Sequence, residues 1–230
     1  LSRLKYSTNE LNFNFKIKKT TLKNIFLILI KKNQLNNGII YLQITRGTQP
    51  REHGYKKNLQ PNIIIYTAKK KFNLPNKNYK GYKAITYPDI RWGRPDIKTT
   101  SLLANILAAT EASKQGAYET ILVKGKKVTE AAHSNVWIVR DKKIITHPAN
   151  KEILKGVTRT VLKNMINSLN VKLIEREFSI KELLKAEEVF ITSSGSLVTP
   201  ITQVDKIKIN KGKIGAITKS LALNLYKAII

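Results

Sequence analysis

Two side chains stand apart from their many chemical twins by what surrounds them. Lys98 lies in Pro95-Asp96-Ile97-Lys98-Thr99-Thr100, just ahead of an apolar helical segment, and Glu130 lies in Val128-Thr129-Glu130-Ala131-Ala132-His133-Ser134-Asn135-Val136-Trp137. A lysine fixed at a strand-to-helix junction can offer its amine to an aldehyde, and a carboxylate at a strand end can pair with a protonated ring nitrogen. The amine must be partly neutral to act, so its surroundings are expected to lower its pKa by desolvation. A solvated surface lysine and a solvated strand-end glutamate are the plain alternatives.

The elements that must position these groups can be read from apolar periodicity and turn residues. A helix is expected from Thr21 to Asn33 with Asn37-Gly38 as its stop, followed by strands at Ile39 to Thr45 and Ile63 to Tyr66. The segment Asn73-Leu74-Pro75-Asn76-Lys77-Asn78-Tyr79-Lys80-Gly81 is polar and broken by Pro and Gly, which marks a domain boundary. Residues 1–73 then form a small domain, 74–81 a linker and 82–230 a larger domain. Beyond the boundary, Lys83 to Tyr87 reads as a strand. A helix follows from Ser101 to Lys114, capped by Thr99 or Thr100 and stopped at Gly116.

Two hairpin-like units come next, Glu119 to Lys124 with Lys127 to Ala131, and Val136 to Val139 with Ile144 to Thr146, turning at Gly125-Lys126 and Asp141-Lys142. A helix after Gly156 runs to Asn170, Val171 to Glu177 is a strand, and Ile180 to Ala186 is a short helix. Strands at Val189 to Thr192 and Thr199 to Val204 precede a last helix from Ala216. Strands outnumber helices without regular alternation, so the class is α+β, a mixed sheet with helices packed around it.

The chain of 230 residues can bury a real core; 42% of it is hydrophobic and 25% charged, ordinary for a globular protein. With no cysteine, disulfides, thiolate nucleophiles and Cys-based zinc sites are out. Three histidines without an acidic cluster at ligand spacing give a metal site little support. The net charge of +27 suits a nucleic-acid or anionic-membrane binder, but the lysines are scattered over turns and helix ends and no recognition motif accompanies them. The longest apolar run, Ile25 to Ile30, cannot span a bilayer and no signal peptide of the usual form opens the chain, so a cytoplasmic protein without nucleic-acid or membrane partners is expected.

Taken together the motifs resemble the fold-type IV pyridoxal phosphate enzymes, and within them the D-amino acid aminotransferases. The resemblance is carried by Tyr41-Leu42-Gln43-Ile44-Thr45-Arg46-Gly47-Thr48-Gln49-Pro50-Arg51-Glu52-His53, by Asp89-Ile90-Arg91-Trp92 with Asp96-Ile97-Lys98, and by Val128-Thr129-Glu130 with Ser134-Asn135-Val136-Trp137. Thr146-His147-Pro148-Ala149-Asn150, Ile153-Leu154-Lys155-Gly156-Val157-Thr158-Arg159, Ile191-Thr192-Ser193-Ser194 and Val198-Thr199-Pro200 extend it. It implies pyridoxal 5'-phosphate as cofactor and a two-domain architecture, a small α/β domain and a larger mixed-sheet domain. Lys98 would join the cofactor aldehyde and shuttle the substrate proton, and Glu130 would hold the ring nitrogen protonated. Arg3, the backbone N–H groups of Val157 and Thr158, and Ser193 with Ser194 would take the phosphate, and Leu154 would pack on the ring. Arg51 and His53 would bind the substrate carboxylate, with Tyr41 nearby.

The same resemblance implies D-amino acid and 2-oxo acid substrates, interconverting D-alanine and 2-oxoglutarate with pyruvate and D-glutamate. It also implies a homodimer in which the Arg51 loop reaches the neighbouring subunit's site. A branched-chain aminotransferase or an aminodeoxychorismate lyase shares Lys and Glu, and Arg51-Glu52-His53 is what discriminates. An inactive fragment or a basic binding protein is the alternative of another class. In place of the family's small polar run after the glutamate stands Ala131-Ala132-His133, which puts hydroxyl contacts from this turn in question. His133 reads as a tolerated loop residue and His147 as structural. The family's phosphate arginine follows several strands, whereas Arg3 stands at the start here. The small domain is therefore expected to be truncated at its N-terminus, with the strand at Ile39 to Thr45 or at Ile63 to Tyr66 left unpaired and apolar faces exposed.

Overall fold

The computed structural model describes residues 1–13, 15–72, 75, 79–168 and 171–228. Asn73, Leu74, Asn76, Lys77 and Asn78 of the expected linker, and Leu169 and Asn170 at the end of an expected helix, lie outside the described residues. The chain divides into two compact units, Leu1–Phe72 and Asn73–Ile230.

The first unit carries α1 (Ser2–Glu10), α2 (Lys19–Lys32), β1 (Gly38–Thr45) and β2 (Asn62–Lys69). Helix α1, which contains Arg3, gives no sequence signal: it has no side-chain cap and few apolar residues. Gly38 opens β1 instead of ending the preceding helix, which stops at Lys32. The strands expected to lack partners pair antiparallel with each other, Tyr41 opposite Tyr66 with ring centroids 4.8 Å apart. Each satisfies one edge of its neighbour, while Ile39, Ile63, Ile64 and Tyr66 remain exposed. Between the strands, Arg46 lies over the rings of Phe13 and Tyr55 at 4.4 and 3.6 Å and donates to the carbonyls of Leu11 and Asn12. Gln49 braces the same loop, donating to the Gly54 carbonyl at 2.7 Å and accepting from the Lys56 N–H at 3.0 Å.

The second unit is built on β3 (Tyr82–Pro88), α3 (Leu103–Lys114), β4 (Glu119–Lys124), β5 (Lys127–Ala131), β6 (Asn135–Arg140), β7 (Lys143–Thr146), α4 (Val157–Ser168), β8 (Leu173–Glu175), β9 (Phe178–Ser179), α5 (Ile180–Leu184), β10 (Glu188–Ser193), β11 (Leu197–Val204), β12 (Ile207–Lys208) and α6 (Ala216–Lys227). Its sheet runs β8-β7-β6-β10-β11-β3-β4-β5-β9, with β12 on β11. The pairs β11–β3, β3–β4 and β7–β8 are parallel and the others antiparallel, so the sheet is mixed and the class α+β. The expected strand from Val171 to Glu177 is shorter than its span: β8 takes only Leu173–Glu175 and pairs with β7, and beyond the span β9 crosses to the far edge to pair with β5.

Alternation along the strands makes the two faces of the core. Val136, Ile138, Val189 and Ile191 join one cluster; Trp137, Val139 and Phe190 join the other, with α4 and α6 supplying Leu162, Ile166, Leu221 and Leu225. Trp137 stacks on Phe190 at 5.6 Å and donates its Nε1–H to Thr192 Oγ1 at 2.9 Å, so its one polar atom is satisfied in the core. The threonine cap expected for α3 does not form. The helix starts at Leu103, and Thr99 Oγ1 accepts from the Ser101 N–H, a local turn that competes with capping. No helix among the described residues is long and apolar enough to cross a membrane.

Candidate active site

Glu130 sits next to the last residue of β5 and is 5% exposed, so it is not a solvated strand end. Folding supplies three partners. Arg91 forms an ion pair with it through Nη1, Asn135 Nδ2 donates at 2.9 Å, and the Leu154 N–H points between both carboxylate oxygens at 3.1 and 3.2 Å. Burial pushes the Glu130 carboxyl up to about 7, with Arg91 and the Leu154 N–H pulling the other way. For Arg91, burial works against the charge, yet its bonds to Asp89 and the charges of Glu130 and Asp89 outweigh it and raise the pKa. Burial would also raise Asp89, but Arg91 and Thr129 hold that carboxyl below its ordinary value. The result is an asymmetric pair: Asp89 is the committed anion for Arg91, and Glu130 is the carboxylate whose proton is easily moved.

The loop between β7 and α4 closes over Glu130. Asn135, the first residue of β6, gives its amide to Glu130 and also to the Leu154 carbonyl at 2.9 Å. The loop then passes so near Asn135 that a Cβ at Gly156 would come within 2.2 Å of Asn135 Oδ1. Glycine is needed there for close approach, since Oδ1 belongs to an amide that its Nδ2 fixes through two hydrogen bonds, to Glu130 and to the Leu154 carbonyl. Gly156→Ala is expected to cost about 1–3 kcal/mol by displacing Asn135. The check is chemical denaturation beside a titration of the Glu130 carboxyl by infrared spectroscopy; an unchanged midpoint would show that the loop moves freely.

Immediately after Gly156, α4 begins at Val157, so the N–H groups of Val157 and Thr158 stand at a helix N-terminus, with no acceptor available within the helix. Asn135 lies opposite Thr192 in the β6–β10 register, which brings the end of β10 at Ser193 to the same side of the sheet. Ser193 Oγ is 2.8 Å from Ser196 Oγ and accepts from the Ser196 N–H at 3.1 Å; Ser194 follows in the turn. Asn135 thus ties Glu130 to Leu154 directly, and the residues beside it, Gly156 and Thr192, are followed in the chain by Val157, Thr158 and Ser193.

Lys98 stands between β3 and α3, after Asp96 and Ile97, which are 6% and 4% exposed and anchor the segment. Arg94 grips Asp96 through two bonds of 2.9 Å, and the Ile97 N–H closes a turn on the Arg94 carbonyl at 3.1 Å. The lysine itself is exposed, where desolvation was the expectation. Its charge reaches the turn after β5: the hydrogen bond to Glu119 raises the His133 pKa, and the Lys98 charge acts in the opposite sense. That turn is tied to α3 by Asn105 Nδ2, which donates to the Ala132 carbonyl at 2.8 Å. Ser134 donates to Glu119 at 3.0 Å, so its hydroxyl is committed within the turn.

Arg3, Tyr41, Arg51 and His53 belong to the first unit. Burial lowers the pKa of the Arg3 guanidinium on α1. The Tyr41 hydroxyl donates to Gln43 Oε1 at 2.7 Å. Arg51 and His53 are exposed on the loop after β1 that Gln49 braces. Sequence reasoning gave no role to Arg91, Asp89 or Asn135, although all three lie in motifs it singled out; the i, i+2 spacing of Asp89 and Arg91, which makes a bidentate pair, was the available signal.

Residues 1–204 match the family described as amino-transferase class IV. D-alanine aminotransferase from Staphylococcus aureus (strain N315) is 37% identical over 225 residues, 97% of this chain and 79% of that protein. The enzyme of the same name from Bacillus licheniformis is 36% identical over 231 residues, 100% of this chain and 81% of the relative. Among solved structures, the branched-chain amino acid aminotransferase from Escherichia coli superposes with a TM-score of 0.85 at 24% identity, covering 98% of this chain and 75% of the other. A putative 4-amino-4-deoxychorismate lyase from Legionella pneumophila gives 0.87 at 21% identity over 98% and 83% of the two chains. These likenesses establish the fold-type IV architecture, and the sequence relatives establish the family: the chain belongs to the class IV aminotransferases.

Proposed function

We propose that this chain is a pyridoxal 5'-phosphate-dependent D-amino acid aminotransferase that converts D-alanine and 2-oxoglutarate to pyruvate and D-glutamate. The observation that carries the cofactor reading is the buried Glu130, held by Arg91, Asn135 and Leu154 with a carboxyl poised near neutrality. Such a group suits a basic ring nitrogen, and the start of α4 with Ser193 and Ser194 suits a phosphate dianion. Bound there, pyridoxal phosphate supplies an aldehyde for the substrate amine and a protonated ring that withdraws electrons from the substrate α-carbon.

The remaining roles belong to the chain's own side chains. Lys98 Nζ takes the proton from the substrate α-carbon and returns it on the cofactor side. Glu130 keeps the ring nitrogen protonated, and Leu154 packs against the ring. Arg3 joins Val157, Thr158, Ser193 and Ser194 on the phosphate. Arg51 and His53 take the substrate α-carboxylate, Tyr41 lines the substrate side, and a second copy of the chain brings its Arg51 loop to the site, making a homodimer. The D-specificity rests on likeness to the D-alanine aminotransferases.

The test is the visible spectrum of the purified chain with cofactor. D-alanine is expected to bleach the band of the resting enzyme, and L-alanine, L-leucine and L-valine to leave it. Bleaching by L-leucine would assign the chain to branched-chain chemistry; no band at all would reject cofactor binding. Replacing Arg51 with Met should raise KM for D-alanine by about tenfold or more, the worth of a charge-assisted carboxylate contact, with cofactor affinity unchanged. Steady-state kinetics beside a cofactor titration separate the two.

A further inference from the structure

Spacing along the chain offers no metal-ligand set, yet folding assembles one. The parallel β7–β8 pair sets Thr146 opposite Glu175, and the Arg176 N–H bonds the Thr146 carbonyl at 3.0 Å, so the residues leaving both strands run side by side. A compact turn, in which Asn150 Oδ1 accepts from the Glu152 N–H at 2.9 Å, returns Glu152 to the same spot. One ligand atom each of His147, Glu152 and Glu177 then lies within 4.8 Å of the others.

The decisive group is His147. It is 1% exposed, and its Nδ1 lies 2.9 Å from the Pro148 carbonyl, which can only accept. The Nδ1 therefore carries the proton, and Nε2 presents its lone pair. That atom is buried and makes no hydrogen bond among the described residues; its nearest carboxylate oxygen, Glu152 Oε2, is 3.5 Å away. A lone pair facing carboxylate oxygens is unfavourable unless a cation, a proton or a metal ion, stands between them. Tetrahedral bonds of about 2.0–2.1 Å place neighbouring ligand atoms about 3.4 Å apart, close to the 3.5 Å between His147 and Glu152, and the three ligand atoms all lie within 4.8 Å of one another. Lys124 bonds Glu152 through Oε1 at 2.9 Å and Lys127 bonds Glu177 through Oε2, so each carboxylate keeps a second oxygen for an ion.

We propose that His147, Glu152 and Glu177 bind a zinc-like divalent transition-metal ion. Imidazole with carboxylates favours Zn²⁺ or Co²⁺ over the oxygen-seeking Mg²⁺ and Ca²⁺. The ion stitches the loop after β7 to the segment after β8. Its consequence reaches Glu130, because the Glu152 carbonyl accepts from Arg91 Nη2 at 3.2 Å and Leu154 of the same loop donates to Glu130. None of its three ligands is a residue assigned to substrate or cofactor.

The test is titration of the chelator-stripped full chain with Co²⁺, followed by its visible absorption, with Zn²⁺ in competition and thermal unfolding in parallel. One equivalent should bind, Zn²⁺ should displace it, and the unfolding midpoint should rise. Glu177→Gln, on the exposed rim, and His147→Gln should each weaken Co²⁺ by roughly tenfold or more, whereas His133→Gln should not. Because Glu177 is not a core residue, its variant keeps the test valid if His147→Gln fails to fold. Unchanged affinity in Glu177→Gln, or no saturable Co²⁺ binding in the parent chain, overturns the proposal; so does binding that only His133→Gln removes.

Discussion

Lys98→Ala is expected to abolish transamination while leaving cofactor bound through its phosphate. Loss of the proton shuttle alone accounts for about 10²–10⁴-fold in rate, and loss of the nucleophilic amine adds to it. The side chain is exposed and its segment is anchored by the buried Asp96 and Ile97, so the variant should still fold. Borohydride reduction of the parent with cofactor should label the peptide containing Lys98 and no other, in a chain with 42 lysines and arginines. Label elsewhere, or turnover retained in the variant, rejects Lys98. An exogenous small amine that restores part of the rate would identify the missing function as proton transfer.

How much could be read beforehand depended on whether the signal was local. The hairpin of β4 and β5 and the start of α6 at Ala216 emerge at their expected positions because alternating apolar residues and a Gly at φ +62 for Gly125 act over a few residues. The α3 cap failed for an equally local reason, a threonine preferring a turn with Ser101. What sequence reasoning could not reach was pairing. That β3 enters the sheet between β11 and β4, or that β8 and β9 part to opposite edges, is decided by contacts between distant segments. The site divides likewise. Lys98 and Glu130 are visible in motifs, but the ring of Arg91, Asn135 and Leu154 around Glu130 exists only after β3, β5, β6 and the loop beyond β7 converge. His147 with Glu152 and Glu177 is the extreme case: the ligand set is invisible until two parallel strands align.

Glu130→Gln is expected to retain cofactor but turn over on the order of 10²–10³-fold more slowly, the worth of one preorganised electrostatic partner to a developing charge. The stability of the cofactor-free protein supplies a second, independent readout. In the unfolded chain Glu130 titrates near 4.5, whereas burial raises it to about 7 in the fold. Between those values the folded state holds more protons than the unfolded one, so stability falls as pH rises, present in full below the lower value and lost through the upper. At 1.36 kcal/mol per unit the contribution is about 3 kcal/mol at most. Glutamine is neutral throughout, so the variant should match the parent near pH 4 and gain on it steadily up to pH 7.5, a divergence that urea denaturation at several pH values would reveal. A gap independent of pH would mean that Arg91 keeps Glu130 ionised throughout. The carboxylate would then be a permanent counter-ion, and the rate loss in the glutamine variant would report charge alone, with no part played by a movable proton.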